Sequence, residues 1–456
     1  MAFCQIKTKK LKNGVIAMIG IELLVVLAAI YLGARIGSIG IGFAGGLGVL
    51  VLTWGLGVQI PSDQLVTYIP WDVIMIIASV ICAIACMQLA GGMDYLVSLA
   101  EKALRKNPKY ITFAAPVVTY LMTMLAGTGH TAFSTLPVIA EVAKEQGIRP
   151  SRPLSIAVVA SQIAITASPI SAAVVAFSGM LEPFGVDYLT LLAICIPSTF
   201  LACILGAFIA NMMGKPLEQD EVYLERKAKG QIKLRGTSQL EIKPYAKLSV
   251  WIFIAAIVAV MAYATAISGK VGLITNPPIP RDGAIMGIML AAATIMTLVC
   301  KLDATQVTNM PTFKSGMSAC ICVLGVAWLG NVFVKGNMDT IQLIAGDLLN
   351  QYSWLLAVVL FFAAMLLYSQ GATTKALMPA ALALGVSPLT AIASFAAVSA
   401  LFVLPTYPTL LAAVEMDDTG STRIGKAVFN HPFFIPGTAT IAIAVALGFF
   451  FGGIML

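Results

Sequence analysis

The sequence predicts an all-α polytopic membrane protein built as two inverted repeats, each holding a re-entrant helical hairpin and a proline-broken helix. Three observations predict it. Hydrophobic residues fill 59% of the 456 positions and charged residues only 11%, against about 25% charged in ordinary globular chains, and the mean hydropathy is +0.93. Residues 153–181, 348–374 and 376–414 contain no Asp, Glu, Lys, Arg or His, and each run exceeds the roughly 20 residues that a membrane span needs. A set of landmarks also occurs twice in the same order along the chain. The composition excludes a soluble enzyme. The apolar runs are continuous rather than alternating, so the spans are helices and not the strands of a barrel.

Spans are expected near 15–33, 38–57, 70–90, 153–181, 188–213, 248–268, 283–300, 313–333, 388–416 and 432–453. The domain organisation follows as an N-terminal tail (1–14), a first repeat (15–213), a cytoplasmic linker (214–247) and a second repeat (248–456). The 214–247 stretch is the one sizeable polar segment and reads as a connection between halves, not a catalytic domain. With this basic loop inside, Arg35 and the segments 101–110, 144–152, 301–314 and 423–426 are inside too, which collects 20 of the 28 Lys and Arg on that side. That bias sets the orientation, with both termini external. Lys7, Lys9, Lys10 and Lys12 in the tail run against it. The first apolar stretch is span-length and leads into a Gly-rich helix, so no cleavable signal peptide is expected. Seven of the eight cysteines fall in or at the ends of apolar spans and read as small hydrophobes; no disulfide framework or zinc site is expected.

The repeat carries the functional argument. GGMDYLVSLAEKALRKNPKY in the first half and KGNMDTIQLIAGDLLNQYSW in the second both read as amphipathic helices lying at an interface. Downstream, TGHTAFSTLPVIA matches GATTKALMPAALA, and SQIAITASPISAAVV matches LFVLPTYPTLLAAV. Asp94 and Asp339 are 245 residues apart, Pro137 and Pro379 are 242 apart, and Pro169 and Pro408 are 239 apart. Five crossings separate the two amphipathic segments, and an odd number inverts the second copy. Inverted repeats with helices broken at matching positions are the pattern of secondary transporters, which bind substrate near the midplane.

Residues 111–143 form two short apolar arms around Gly127, Thr128, Gly129, His130 and Thr131; residues 353–385 do the same around Ser369, Gln370, Gly371, Ala372, Thr373 and Thr374. These are expected to be re-entrant hairpins, whose polar tips are tolerated at depth only where protein or a wet cavity surrounds them. Ordinary pairs of short spans are the alternative. The partner helices are expected to break at Thr166–Pro169 and at Pro405–Pro408, because proline lacks a donor and clashes with the carbonyl one turn earlier. Half-helix N-termini exposed by such breaks suit an anion. A simple kink is the alternative there.

The candidate substrate-binding residues are therefore Thr128, Gly129, His130, Thr131, Ser134, Gln162, Thr166, Ser168 and Pro169 for one half-site. Ser369, Gln370, Thr373, Thr374, Lys375, Pro405, Thr406, Tyr407 and Pro408 make the other. Lys375 stands between two uncharged runs, and a central lysine costs about 2.5–3.5 kcal/mol on insertion scales, so it needs a counterion. A substrate carboxylate or a structural acidic partner would serve. His130 could bind an anion or carry a proton, or be a neutral hydrogen-bonding group. Glu22 reads as a buried hydrogen-bonded acid. GARIGSIGIGFAGGLG (33–48) reads as close packing of small residues rather than nucleotide binding, since no strand precedes it. Arg423 in MDDTGSTRIGK reads as a topology anchor or a gating residue. Two histidines, with no HExxH or GxSxG, leave no equipment for hydrolysis. No metal or other cofactor is expected.

At GGMDYL, RKNPKYIT, GTGHTAFSTLPVIAEVAKEQG, SQIAITASPISAAVV, KSGMSACICVLGVAWLG, KALMPAALALGVSPLTAIASFAAVS, LPTYPTLLAAVEMDDTGSTRIGK and FNHPFFIPG the chain resembles the Dcu family, anaerobic four-carbon dicarboxylate carriers of bacterial inner membranes. The likeness covers essentially the whole chain and is strongest to the DcuA branch. It implies exchange of aspartate, fumarate, malate and succinate by antiport, with proton-coupled uptake as a further mode. It also implies a homodimer in the lipid bilayer and no nucleic-acid partner. Members of the family differ at the positions of His130 and Lys375, so the resemblance puts the weight of binding on hydroxyl and backbone groups. A dicarboxylate sensor or scaffold would need an output domain that the sequence lacks. A passive anion channel would show flux without a counter-substrate.

Overall fold

The computed structural model describes residues 18–33, 36, 39–58, 60–61, 63–232, 241–267, 273–337, 352, 354–367, 369–405, 407–427 and 429–456. The N-terminal tail, nearly all of the second amphipathic segment with Asp339, Thr406 and the side chain of His130 lie outside the described residues. Helices are the only regular elements among the described residues. Seven of them, counting a broken helix over Ser151–Phe184 as one, are long and apolar enough to cross a bilayer. Trp54, Phe208, Trp251, Leu298 and Phe450 are exposed on the outer surface, where lipid accepts them.

The first repeat begins with α1 (Met18–Gly33) and α2 (Gly40–Leu50), then α3 (Trp71–Leu89). A 74° bend leads into α4 (Gly92–Lys106). This is the expected amphipathic helix: Met93, Val97, Ala100 and Leu104 are buried along one face. The first hairpin is α5 (Ile111–Ala126, 16 residues) and α6 (Ala132–Glu145, 14 residues). At 1.5 Å per residue the second arm reaches about 21 Å, short of a hydrocarbon core about 30 Å thick; the first, together with the 3₁₀ turn at Pro108–Tyr110, is a 19-residue segment and one of the seven of span length. The turn is made by Gly127, whose φ of +66° is a left-handed conformation that ends α5 and that only glycine adopts cheaply.

The first broken helix runs as α7 (Ser151–Ile163), a 3₁₀ turn over Ala164–Ala167, and α8 (Ala172–Leu181). Ser168 is extended, and Ser171 caps α8 by accepting from the Val174 amide. The helix α9 (Tyr188–Met212) closes the repeat. The polar segment that follows carries α10 (Glu221–Ala228). The second repeat runs α11 (Ala246–Ala266), α12 (Arg281–Val299), α13 (Pro311–Gly336), and the hairpin α14 (Leu355–Leu367) and α15 (Gln370–Ala383). Its broken helix is α16 (Pro388–Ser394), a 3₁₀ stretch over Phe395–Phe402 and α17 (Pro408–Met416), and α18 (Phe434–Met455) ends it.

One expectation needs correction. The second hairpin does not turn over the six residues 369–374. Ser369 caps a helix that starts at Gln370, accepting from the Ala372 amide, so Thr373, Thr374 and Lys375 stand in the first turns of α15. Ser is a strong N-cap and Gln, Ala and Lys are good helix formers, so no loop is required there. The first break lies where expected: the α-helix ends at Ile163, Thr166 sits in the 3₁₀ turn and the chain opens at Ser168 before α8 starts at Ala172.

The packing is paired as inverted repeats require. Five apolar segments of span length (α7–α8, α9, α11, α12 and α13) lie between the first hairpin and the second. The helix α3 packs on α12, and α2 on α13; α6 packs on α17, and α15 on α8; α9 packs on its counterpart α18. Each hairpin thus lays its second arm against the broken helix of the opposite repeat. The segments expected on the basic side meet in space, with Lys144 paired to Asp418 and Arg149 to Asp220.

The glycine-rich stretch is a packing surface, as expected. A Cβ on Gly42 would lie 2.3 Å from the Ile321 carbonyl oxygen, and one on Gly45 would lie 2.4 Å from the Gly325 carbonyl carbon. Glu22 is buried, and the Asn337 side-chain amide donates to its carboxylate.

Candidate substrate site

Four half-helices begin inside the protein: α6 at the first hairpin tip, α8 at the first break, α15 at the second tip and α17 at the second break. Contacts link the two tips to the two breaks. A Cβ on Gly127 would meet Ile170 at 3.0 Å, and one on Gly129 would meet the Ser161 carbonyl oxygen at 3.0 Å, so the first tip lies against α7 and its break. Ser168 Oγ donates to the Met124 carbonyl at 2.7 Å, tying the break to the end of α5. A Cβ on Gly371 would lie 3.8 Å from Ala172 Cβ and 3.9 Å from the Ala173 amide nitrogen; the second tip therefore faces the N-terminus of α8.

Gln162 joins the two repeats. Its Nε2 lies 3.4 Å from Thr409 Oγ1, in the first turn of α17, and its backbone carbonyl accepts from Gln370 Nε2 at 3.1 Å. Its Oε1 is buried and has no hydrogen-bond partner among the described residues. A buried amide oxygen left unpaired costs on the order of 1–3 kcal/mol.

The hydroxyl groups are mostly committed to the backbone. Thr131 Oγ1 lies 3.0 Å from Thr123 Oγ1 and donates to the Thr128 carbonyl at 3.2 Å. Thr166 donates to Ile163, Thr373 to Ser369 and Thr374 to Gln370. Gln162, Thr166, Ser168, Thr373 and Thr374 are all shut off from solvent. Ser134 is partly buried in α6, and Pro405, Tyr407 and Pro408 frame the second break. Each helix N-terminus carries roughly half a positive charge from its unpaired amides, and Ser171 and Ser369 cap two of the four.

A sequence model of the anaerobic C4-dicarboxylate membrane transporter family matches residues 18–456. The chain belongs to this family. It is 66% identical over 439 residues to the C4-dicarboxylate transporter DcuA of Wolinella succinogenes, covering 96% of this chain and 100% of that one. It is 59% identical to DcuA of Escherichia coli K12, with the same two shares. Identity to the anaerobic C4-dicarboxylate transporter DcuB of Escherichia coli O6:H1 is 35%, over 94% of this chain and 98% of that one. The fold matches the crystal structure of the Alcanivorax borkumensis YdaH transporter, described as having an unusual topology. The TM-score is 0.55 at 13% identity, with 96% of this chain and 98% of that chain covered.

The chain is thus a multi-pass bacterial membrane protein of a C4-dicarboxylate transporter family, on the DcuA branch, and not an enzyme. Within this family member, Lys375 does not stand alone: its Nζ lies 2.8 Å from Asp72 Oδ2, in the first turn of α3. Asp72 was not a sequence candidate, nor were Ser171, Thr409 and Tyr188, whose hydroxyl donates to the Pro169 carbonyl. The Ser-Pro-Ile-Ser order, with a capping serine three residues before the Val174 amide, was the available signal for Ser171. For Asp72 there was only its place at the mouth of a span. No group of three or more His, Cys, Asp or Glu that could hold a metal occurs among the described residues.

Proposed function

We propose that the protein exchanges four-carbon dicarboxylates across the membrane by antiport, with fumarate, succinate, malate and aspartate as substrates and proton-coupled uptake as a second mode. The observation that carries this reading is the meeting of four half-helix N-termini from two inverted repeats. Two opposed positive ends match two carboxylates, and inverted repeats give two equivalent closures, one to each side. Thr128, Gly129, His130, Thr131, Ser134, Gln162, Thr166, Ser168 and Pro169 form one half-site in this proposal. Ser369, Gln370, Thr373, Thr374, Lys375 and 405–408 form the other. The open acceptor on Gln162 suits the ammonium of aspartate or the hydroxyl of malate. Because Gln162, Thr166, Ser168, Thr373 and Thr374 are closed to solvent, substrate reaches them in this proposal only when the hairpins move against the broken helices. The core of hairpin tips and broken helices, contributed by the proposed repeats 15–213 and 248–456 on either side of the linker 214–247, moves against the remainder to alternate access in this proposal.

The test is counterflow in proteoliposomes. Labelled succinate trapped inside should leave one-for-one against external fumarate or aspartate and stay put against citrate. Failure of every four-carbon dicarboxylate to exchange, or efflux without any counter-substrate, overturns the proposal; the second result would mark a passive channel. For the half-sites, Thr128→Val and Thr373→Val should each reduce exchange at least severalfold while leaving membrane insertion intact. Wild-type kinetics in both variants would remove these hydroxyls from the site.

A further inference from the structure

We propose that Asp72 is the resident counterion of Lys375 in the substrate-free protein, and that one carboxylate of the substrate displaces it. The inference rests on the dicarboxylate transport proposed above and adds to it the group against which substrate competes. The Lys375 side chain is 9% exposed, whereas that of Asp72 is 51% exposed. The ammonium is therefore held in the protein and the carboxylate is not. A buried ammonium stripped of its counterion is strongly destabilising, whereas a half-exposed carboxylate returns to water at little cost. The pair is thus built to break on the Asp72 side, provided that another anion arrives.

The elements that carry the two groups support this. Lys375 lies on α15, the arm that starts at the second hairpin tip and packs on α8. Asp72 opens α3, which packs on α12 and α13. Movement of the hairpin relative to α3 would pull the pair apart, and the substrate carboxylate would then complete the charge on Lys375. Asp282, in the first turn of α12, also acts electrostatically on this ammonium.

The decisive measurement is the half-saturating succinate concentration for counterflow in wild type, D72N, K375Q and D72N/K375Q. Removing the competitor should lower half-saturation in D72N by about two- to fivefold, the size set by a half-exposed ion pair, and D72E should restore the wild-type value. K375Q should raise half-saturation, and in that background D72N should have no further effect. An unchanged D72N value, or an equal shift with and without Lys375, overturns the inference while wild-type exchange still stands. Absence of succinate exchange by the wild type overturns the transport reading itself. If D72N does not fold, D72S removes the same charge and is held to the same outcome.

Discussion

Gly325→Ala is expected to destabilise the protein severely, whereas Gly46→Ala, in the facing helix, should be neutral or stabilising. The contrast is useful because both changes make the same intrinsic gain, about 1 kcal/mol for replacing a helical glycine with alanine. Space decides the sign. A Cβ on Gly325 would lie 1.8 Å from the Gly42 carbonyl oxygen and 2.5 Å from its carbon, whereas one on Gly46 meets nothing within 4 Å. The obstructing atoms are backbone, so no side-chain rotation relieves the clash; α2 and α13 must separate. Lipid tails are as apolar as the helix surfaces, so packing rather than hydrophobic burial holds helices together in a bilayer. Separation also loosens Leu329 and Val332 where they pack with Val26, Ala29, Ile30, Val49 and Leu52. Overpacking costs typically 1–3 kcal/mol where side chains can adjust, and about 3 kcal/mol or more is expected here. Thermal unfolding of the two variants in detergent, followed by size-exclusion, reads the difference; equal midpoints would refute the close-packed crossing.

That crossing was legible because a run of glycines inside an apolar helix has few other uses. The broken helices were legible for a similar reason: proline at matching places in two uncharged runs constrains backbone whatever the tertiary context. The second hairpin was only half legible. Its residues 369–374 look like loop when polarity is equated with irregularity, but a serine cap followed by helix formers continues the helix. The partner of Lys375 was not legible, since Asp72 lies 303 residues away and no local pattern records a long-range ion pair. Nor did the sequence reveal what Arg423 grips. A polar loop has no periodicity to read, and its partners are fixed by which segments the topology gathers on one side.

Those partners lead to the second large effect. Asp220 N-caps α10, accepting from the Val222 and Tyr223 amides. Its carboxylate also lies 2.7 Å from Arg149 Nη1, and both of its oxygens are 3.0 Å from Arg423 Nη1. Arg149 stands just before α7 and also donates to the Lys215 and Ser421 carbonyls. Arg423 belongs to the loop after α17, which is folded around Asp417 by Thr419, Ser421 and Thr422. One buried carboxylate thus fastens the basic-side ends of both broken helices to the connecting segment. Asp220→Asn keeps the cap, since Asn and Asp cap equally well, and removes only the charge. Arg149, whose side chain is 9% exposed, is then left without its anion, whereas Arg423, 48% exposed, regains water. The expected loss is about 3 kcal/mol, the lower end for breaking a buried pair.

The pH dependence separates this explanation from a general weakening. Burial pushes the Asp220 carboxyl up, but hydrogen bonds and charge from Arg423 and Arg149 outweigh it and hold the group below the usual carboxylate range. A carboxyl depressed in the folded state adds stability that is complete above its unfolded value, about 3.9, and is lost as pH falls through the lower folded value. The difference in thermal midpoint between wild type and D220N should therefore be full and flat from neutral pH down to about 5. It should narrow only below pH about 4, where wild type loses what the variant never had. A gap that is absent at neutral pH, or that persists undiminished into strong acid, would show that the two guanidinium contacts do not hold these ends together. If the clasp does restrain the broken helices, D220N at neutral pH should also change the counterflow rate more than the half-saturating concentration, because Asp220 lies in the connecting segment and outside both proposed half-sites.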